Sequence, residues 1–197
     1  GSTGVIGRQL PIEKICAGIQ KLVAAKDSSL EAGTTASKAI MTTDTVNKEI
    51  AVTFELDGRV VTVGGMSKGS GMIHPNMCTM LAYVTTDIAI SKKLLQEALS
   101  ASVTDTFNMI SVDGDTSTND TCLVLANGLA GNEEIVAKGE AYDKFLEALN
   151  FVNTYLARTM AGDGEGATAL FETVVYNADT KSNARTLAKS VVGSSLC

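Results

Sequence analysis

The sequence has one histidine, no tryptophan, two prolines and four cysteines in 197 residues. The cysteines, Cys16, Cys78, Cys122 and Cys197, stand far apart with no C-x-x-C pair, which argues against a zinc site and against a disulfide framework. A Ser/His/Asp or Cys/His constellation would have to use His74, so chemistry without histidine is the expected kind. Positive charge is also scarce. Lys and Arg number 16 against 22 Asp and Glu, a net charge of −6, and the charges are scattered, so no basic stripe exists to neutralise phosphates and no nucleic-acid partner is expected. No apolar run reaches the roughly 18 residues of a membrane span. The chain opens on Gly1-Ser2-Thr3-Gly4 without the basic region and apolar stretch of a secretory signal, so a cytoplasmic chain with no membrane partner is the expectation.

What is present describes a folded core. Hydrophobic residues make up 45% and charged residues 19%, a balance that excludes a disordered tail. Ile12, Ile15, Cys16, Ile19, Leu22 and Val23 follow Pro11 at helical spacing and predict an amphipathic helix over 11–26, with a weaker helical stretch running to Ile40. From Ile50 the period changes to two. Residues 50–56 and 59–63 flank Asp57-Gly58, the signature of a β-hairpin. Residues 64–79, rich in glycine, read as a structured loop, and loops of this kind usually carry function. Strands are expected over 81–90, 107–112, 122–125 and 167–176, and helices over 91–101, capped by Ser91, over 141–160, ended by Gly162, and over 180–192. This order of elements indicates an α/β (α+β layered) domain.

Two glycine-rich stretches invite a nucleotide reading and fail it. In Gly64-Gly65-Met66-Ser67-Lys68-Gly69-Ser70-Gly71 the lysine precedes Gly-Ser, whereas a phosphate-binding loop needs Gly-Lys-Ser/Thr. Gly162-Asp163-Gly164-Glu165-Gly166-Ala167 follows a helix and precedes an expected strand, the reverse of a dinucleotide-binding turn. Asp113, Asp115 and Asp120 lack the terminal bidentate glutamate of a calcium loop and read as turn-forming side chains, so no metal is assigned. Thr79 stands just ahead of a buried strand. If the peptide bond before it is broken, its new α-amine becomes a base on the same residue as its hydroxyl, with an ordinary pKa of about 7.7–8.0 that suits proton transfer near neutral pH. On chemistry alone, Thr79 either opens a strand or serves as such a nucleophile.

The run Lys68-Gly69-Ser70-Gly71-Met72-Ile73-His74-Pro75-Asn76-Met77-Cys78-Thr79-Met80-Leu81 closely resembles the self-cleavage segment of the ornithine acetyltransferase family, the glutamate N-acetyltransferases of arginine biosynthesis. Ser2-Thr3-Gly4-Val5-Ile6-Gly7, Ile40-Met41-Thr42-Thr43-Asp44-Thr45, Ser117-Thr118-Asn119-Asp120-Thr121 and Gly162-Asp163-Gly164-Glu165-Gly166-Ala167-Thr168 follow in family order. The resemblance implies a fold like that of the N-terminal-nucleophile hydrolases, with β-sheets sandwiched by helices. It implies autocatalytic cleavage between Cys78 and Thr79, dividing the chain into 1–78, the end of an α chain, and 79–197, the start of a β chain, with further sequence at both ends. Family members commonly carry Ala where this chain has Cys78, a departure that bears on the rate of cleavage more than on its site.

By the same resemblance Thr79 takes the acetyl group, and Thr3 and Gly4 line the oxyanion hole. Thr42, Lys68 and Glu165 bind substrate, Lys68 through a carboxylate and Glu165 through an amino group. The implied reaction moves acetyl from N-acetylornithine to glutamate without metal or bound cofactor, and acetyl-CoA enters as a second donor in bifunctional members. The α and β chains would assemble into a homo-oligomer of αβ units. Two rivals stay open: an amidase or aminopeptidase using the same threonine, and an unprocessed chain without activity.

Overall fold

The computed structural model describes residues 5, 7–74, 80–194 and 196. Thr3, Gly4, Cys78 and Thr79 lie outside the described residues. Among the described residues, five α-helices and four strands run in the order α1 (Ile12–Ala24), α2 (Leu30–Ala39), β1 (Lys48–Leu56), β2 (Arg59–Lys68), β3 (Leu81–Thr86), α3 (Lys92–Asp105), β4 (Thr121–Ala126), α4 (Glu140–Gly162) and α5 (Lys181–Val192), with a short 3-10 helix at Phe107–Met109.

The strands form one sheet in the order β1-β2-β3-β4, antiparallel except for the parallel pair β3 and β4. Asp57 and Gly58 both adopt positive φ, 50° and 72°, as the tight turn matching the right-handed twist of a hairpin requires. β3 and β4 are joined through α3, the crossover that a parallel pair needs. Alternation sorts the faces: Val61, Val63, Ala82 and Val84 are fully buried against Phe145, Leu149, Val152, Leu156 and Met160 of α4. On the opposite face Val60, Leu123 and Leu125 are exposed. Ser29 and Ser91 cap α2 and α3 by accepting from the amides of Ala32 and Leu94. The described residues thus form an α/β domain, with one sheet and its principal helices on one face.

Four expected features differ. Residues 64–68 belong to β2 rather than to a loop. The glycines there serve packing: a Cβ on Gly65 would lie 2.8 Å from Val152 Cγ1 and 3.1 Å from Leu156 Cδ1, so α4 reaches the sheet only because that position has no side chain. The expected strand at 107–112 starts as the 3-10 helix, because Phe107 is drawn into the core and the Met109 amide closes onto the Thr106 carbonyl. The expected strand at 167–176 has no regular structure. Its alternating residues meet no strand among those described, and without a ladder the pattern cannot become one. β3 also stops at Thr86 rather than at Ile90, since the Asp87 carboxylate takes the Thr62 amide at 2.8 Å and ends the pairing. No described helix is long and apolar enough to cross a membrane.

Candidate functional site

The register gathers one end of the sheet. Lys48 pairs with Ser67, Lys68 with Leu81, and Leu81 with Thr121, so four strand ends, the loop before β1, the loop before β4 and the chain leaving β2 meet there. The C-terminus of α4 closes the group, because Asp163 and Glu165 follow directly on its last turn.

Asp44 organises the group. Its Oδ1 accepts from Lys48 Nζ at 2.8 Å and from the Gly69 amide at 2.7 Å, and its Oδ2 accepts from the Thr42 amide at 3.1 Å. Lys48 Nζ also donates to Asp163 Oδ2 at 2.6 Å and to the Val46 carbonyl at 3.2 Å. Asp163 in turn accepts from the amide and hydroxyl of Thr45. The side chains of Asp44 and Lys48 are wholly buried. Burial by itself raises the Asp44 carboxyl, but the Lys48 ammonium and the Gly69 and Thr42 amides overcome it and hold the group below the usual carboxylate range. Burial likewise raises Asp163, and Lys48 and Thr45 together bring it below its ordinary value.

This buried cation between two carboxylates ties three chain segments into one body. Thr42, whose amide is held by Asp44, and Lys68, whose neighbour Gly69 is held by the same carboxylate, are brought together. Glu165 joins them: its amide donates to the Ser70 carbonyl at 2.7 Å, and its carboxylate lies where a Cβ on Gly71 would be, 2.6 Å from Cδ. The Thr43 and Ser70 hydroxyls meet at 2.7 Å. Asp44 and Ser70 thus link the chain at Thr42, at Gly69 next to Lys68, and at Glu165. Lys68 is 4% exposed, and among the described residues its ammonium makes no hydrogen bond or ion pair. A cation at the end of a buried side chain, with no anion against it, is suited to an incoming carboxylate. A separate cavity of about 560 Å³ lies between α4, the 3-10 helix and residues 165–173; of the expected substrate residues only Glu165 borders it.

The loop before β4 brackets the chain on both sides of residues 75–79. Asp113 accepts from the Met72 amide and, at 2.9 Å, from the Ile73 amide, while the Val112 amide donates to the Ile73 carbonyl at 2.6 Å and His74 Nδ1 meets Ser111 Oγ at 2.9 Å. On the far side Asp120 Oδ1 accepts from the Met80 amide at 2.7 Å, and the Thr121 amide donates to the Met80 carbonyl at 3.0 Å. Burial pushes the Asp120 carboxyl up to about 6, against the pull of the Met80 amide. Asp44, Lys48, Asp113, Asp120 and Asp163 were not singled out as site residues from the sequence, although all but Lys48 and Asp113 stand inside the quoted motifs. Cys122 is removed from reactivity, its thiol pushed up to about 12 by burial.

The family model described as "ArgJ family" matches residues 1–197. The chain is 52% identical over 195 residues to the arginine biosynthesis bifunctional protein ArgJ of Caldanaerobacter subterraneus subsp. tengcongensis, covering 99% of this chain and 48% of that protein. It is 54% identical over 195 residues to the protein of the same name from Symbiobacterium thermophilum, with the same coverage of 99% and 48%. The crystal structure of arginine biosynthesis bifunctional protein argJ from Bacillus halodurans is 47% identical, with a TM-score of 0.56 over 58% of this chain and 54% of that one. The chain spans about half the length of the curated relatives it matches. With a family model matched from end to end and half of all residues shared with these relatives, the chain belongs to the ArgJ family.

Proposed function

We propose that this chain is the part of a glutamate N-acetyltransferase that carries the cleavage site and most of the acetyl-transfer machinery, acting in the cytoplasm as part of a longer protein. The observation that carries the reading is Lys68: a residue 4% exposed with no anionic partner among the described residues, linked to Thr42 through Gly69 and Asp44 and followed in the chain by Ser70, which holds Glu165. N-acetylornithine and glutamate each present a carboxylate, and ornithine and glutamate each present an amine. Lys68 and Glu165 answer those two groups.

In this reading the bond between Cys78 and Thr79 is cut first, leaving an α-amine on Thr79. That amine takes the Thr79 hydroxyl proton as Oγ attacks the acetyl carbonyl of N-acetylornithine. The oxyanion formed is held by the Thr3 hydroxyl and the Gly4 amide, where one such donor is worth about 10²–10³ in rate. Collapse returns the proton to the departing ornithine amine and leaves acetyl on Thr79. Glutamate then enters with its carboxylate on Lys68, its amine attacks the acetyl ester, and N-acetylglutamate leaves with the hydroxyl restored. Acetyl-CoA serves the same acyl-enzyme as a second donor where the protein is bifunctional.

Assay of the full-length protein with N-acetylornithine and glutamate tests the reading. Acetyl should appear on glutamate, and Lys68→Ala should raise KM for the carboxylate-bearing substrates about 10- to 100-fold, the size of one charge-assisted contact, while the protein stays folded. Release of acetate in place of N-acetylglutamate would assign the threonine to an amidase instead.

A further inference from the structure

Asp120 grips the chain one residue past Thr79. Its Oδ1 holds the Met80 amide at 2.7 Å, and the Met80 carbonyl is held by the Thr121 amide. Met80 itself is 3% exposed, so both polar groups of this residue are fixed inside the fold. The second carboxylate oxygen, Oδ2, is buried and has no hydrogen-bond partner among the described residues. A half-buried carboxylate that satisfies one amide and leaves an oxygen unpaired is a poor way to gain stability, since the unmet desolvation cost weighs against the single bond. Its raised pKa reports that same cost. Such an arrangement is tolerated where position matters more than stability.

Met80 N belongs to the peptide unit whose carbonyl carbon is that of Thr79. Fixing this amide therefore holds the peptide unit through which residue 79 joins β3, and so restricts, without fixing outright, the placements open to that residue. We infer that Asp120 is a positioning residue for the Thr79 nucleophile, acting through the Met80 amide both during cleavage and during acetyl transfer. The inference rests on the reading of Thr79 as nucleophile. Asp113 holds Met72 and Ile73 on the other side of the segment, so the cut would leave each new chain with its own anchor on the same loop.

The test uses the full-length protein with Asp120→Asn and Asp120→Ala, following appearance of the Thr79 N-terminus and then kcat and KM for N-acetylornithine in the matured enzyme. Asparagine keeps an acceptor but loses its charge; alanine loses both. Cleavage rate and kcat should fall about three- to tenfold in the asparagine protein and about 10- to 100-fold in the alanine protein, with KM within about twofold in both because Lys68, Thr42 and Glu165 are untouched. Should the alanine protein not fold, the asparagine protein decides alone. Wild-type cleavage and kcat in a folded Asp120 variant, or a loss confined to KM, overturns the inference. A wild-type protein that is neither cut before Thr79 nor acetylated there refutes the nucleophile reading instead, and the two failures are distinct.

Discussion

Asp44 and Lys48 form an ion pair with no solvent access, shared with Asp163. Such a pair is weak as a source of net stability and strong as a constraint, because removing one member leaves uncompensated charge in the interior. Lys48→Ala should therefore cost about 3–5 kcal/mol, measured by denaturant unfolding, and should loosen the Thr42 and Gly69 segments together. The pH dependence has opposite signs at two places. Asp44 and Asp163 are held below the ordinary carboxylate value. Their stabilisation is complete above about pH 4 and is lost as pH falls through the depressed values. Asp120 is pushed up to about 6, so between about 4 and about 6 the folded chain binds more protons than the unfolded one, and this group's contribution to stability declines as pH rises. The stability difference between wild type and Asp120→Asn, followed by denaturant midpoints from pH 4 to 7, should accordingly move against the wild type with rising pH. Of the residues around this end of the sheet, the sequence pointed to the proposed substrate contacts: Thr42, Lys68 and Glu165 stand in recognisable motifs. Their supports were not legible as supports, since a buried ion pair between Lys48 and Asp163 joins residues 115 apart in the chain, and no local pattern announces that.

At the scale of elements, β2 is the member that matters most. It carries Lys68 at its end, pairs with both neighbours, and admits α4 through Gly65. Gly65→Ala should destabilise the domain by about 1–3 kcal/mol through overpacking against Val152 and Leu156, read from unfolding midpoints. Gly71→Ala meets a different neighbour. Its Cβ would occupy the place of the Glu165 carboxylate, so it should raise KM for the amine-bearing substrate about tenfold with little change in stability. The hairpin and the helices α2, α3, α4 and α5 were legible because alternation, an Asp-Gly turn, serine caps and helical spacing are local signals. The end of β2 was misread because glycine is ordinarily a breaker, and its reason here is a helix 87 residues away in sequence, at Val152. The segment 167–176 was misread for the converse reason: its period of two is genuine, but a strand is made by its partner.

At the scale of the whole molecule, the chain brings to one end of a sheet the segments that flank residues 75–79 and the side chains that would hold a carboxylate and an amine. It does so with half the length of its curated relatives. The amphipathic α1 has no buried residue, and Ile12, Ile19 and Leu22 are exposed. The central claim is that Thr79 is freed by cleavage and then carries acetyl. Thr79→Ala should abolish both processing and transfer, and Thr79→Ser should keep part of each, since the hydroxyl survives while the methyl that restrains its rotamer is lost. The most direct measurement is mass spectrometry of the purified full-length protein before and after exposure to N-acetylornithine in the absence of glutamate. A fragment beginning at Thr79 should gain one acetyl group on that residue and lose it when glutamate is added; an uncut chain that still transfers acetyl, or acetyl found on another residue, would rule out Thr79 as the freed acetyl carrier.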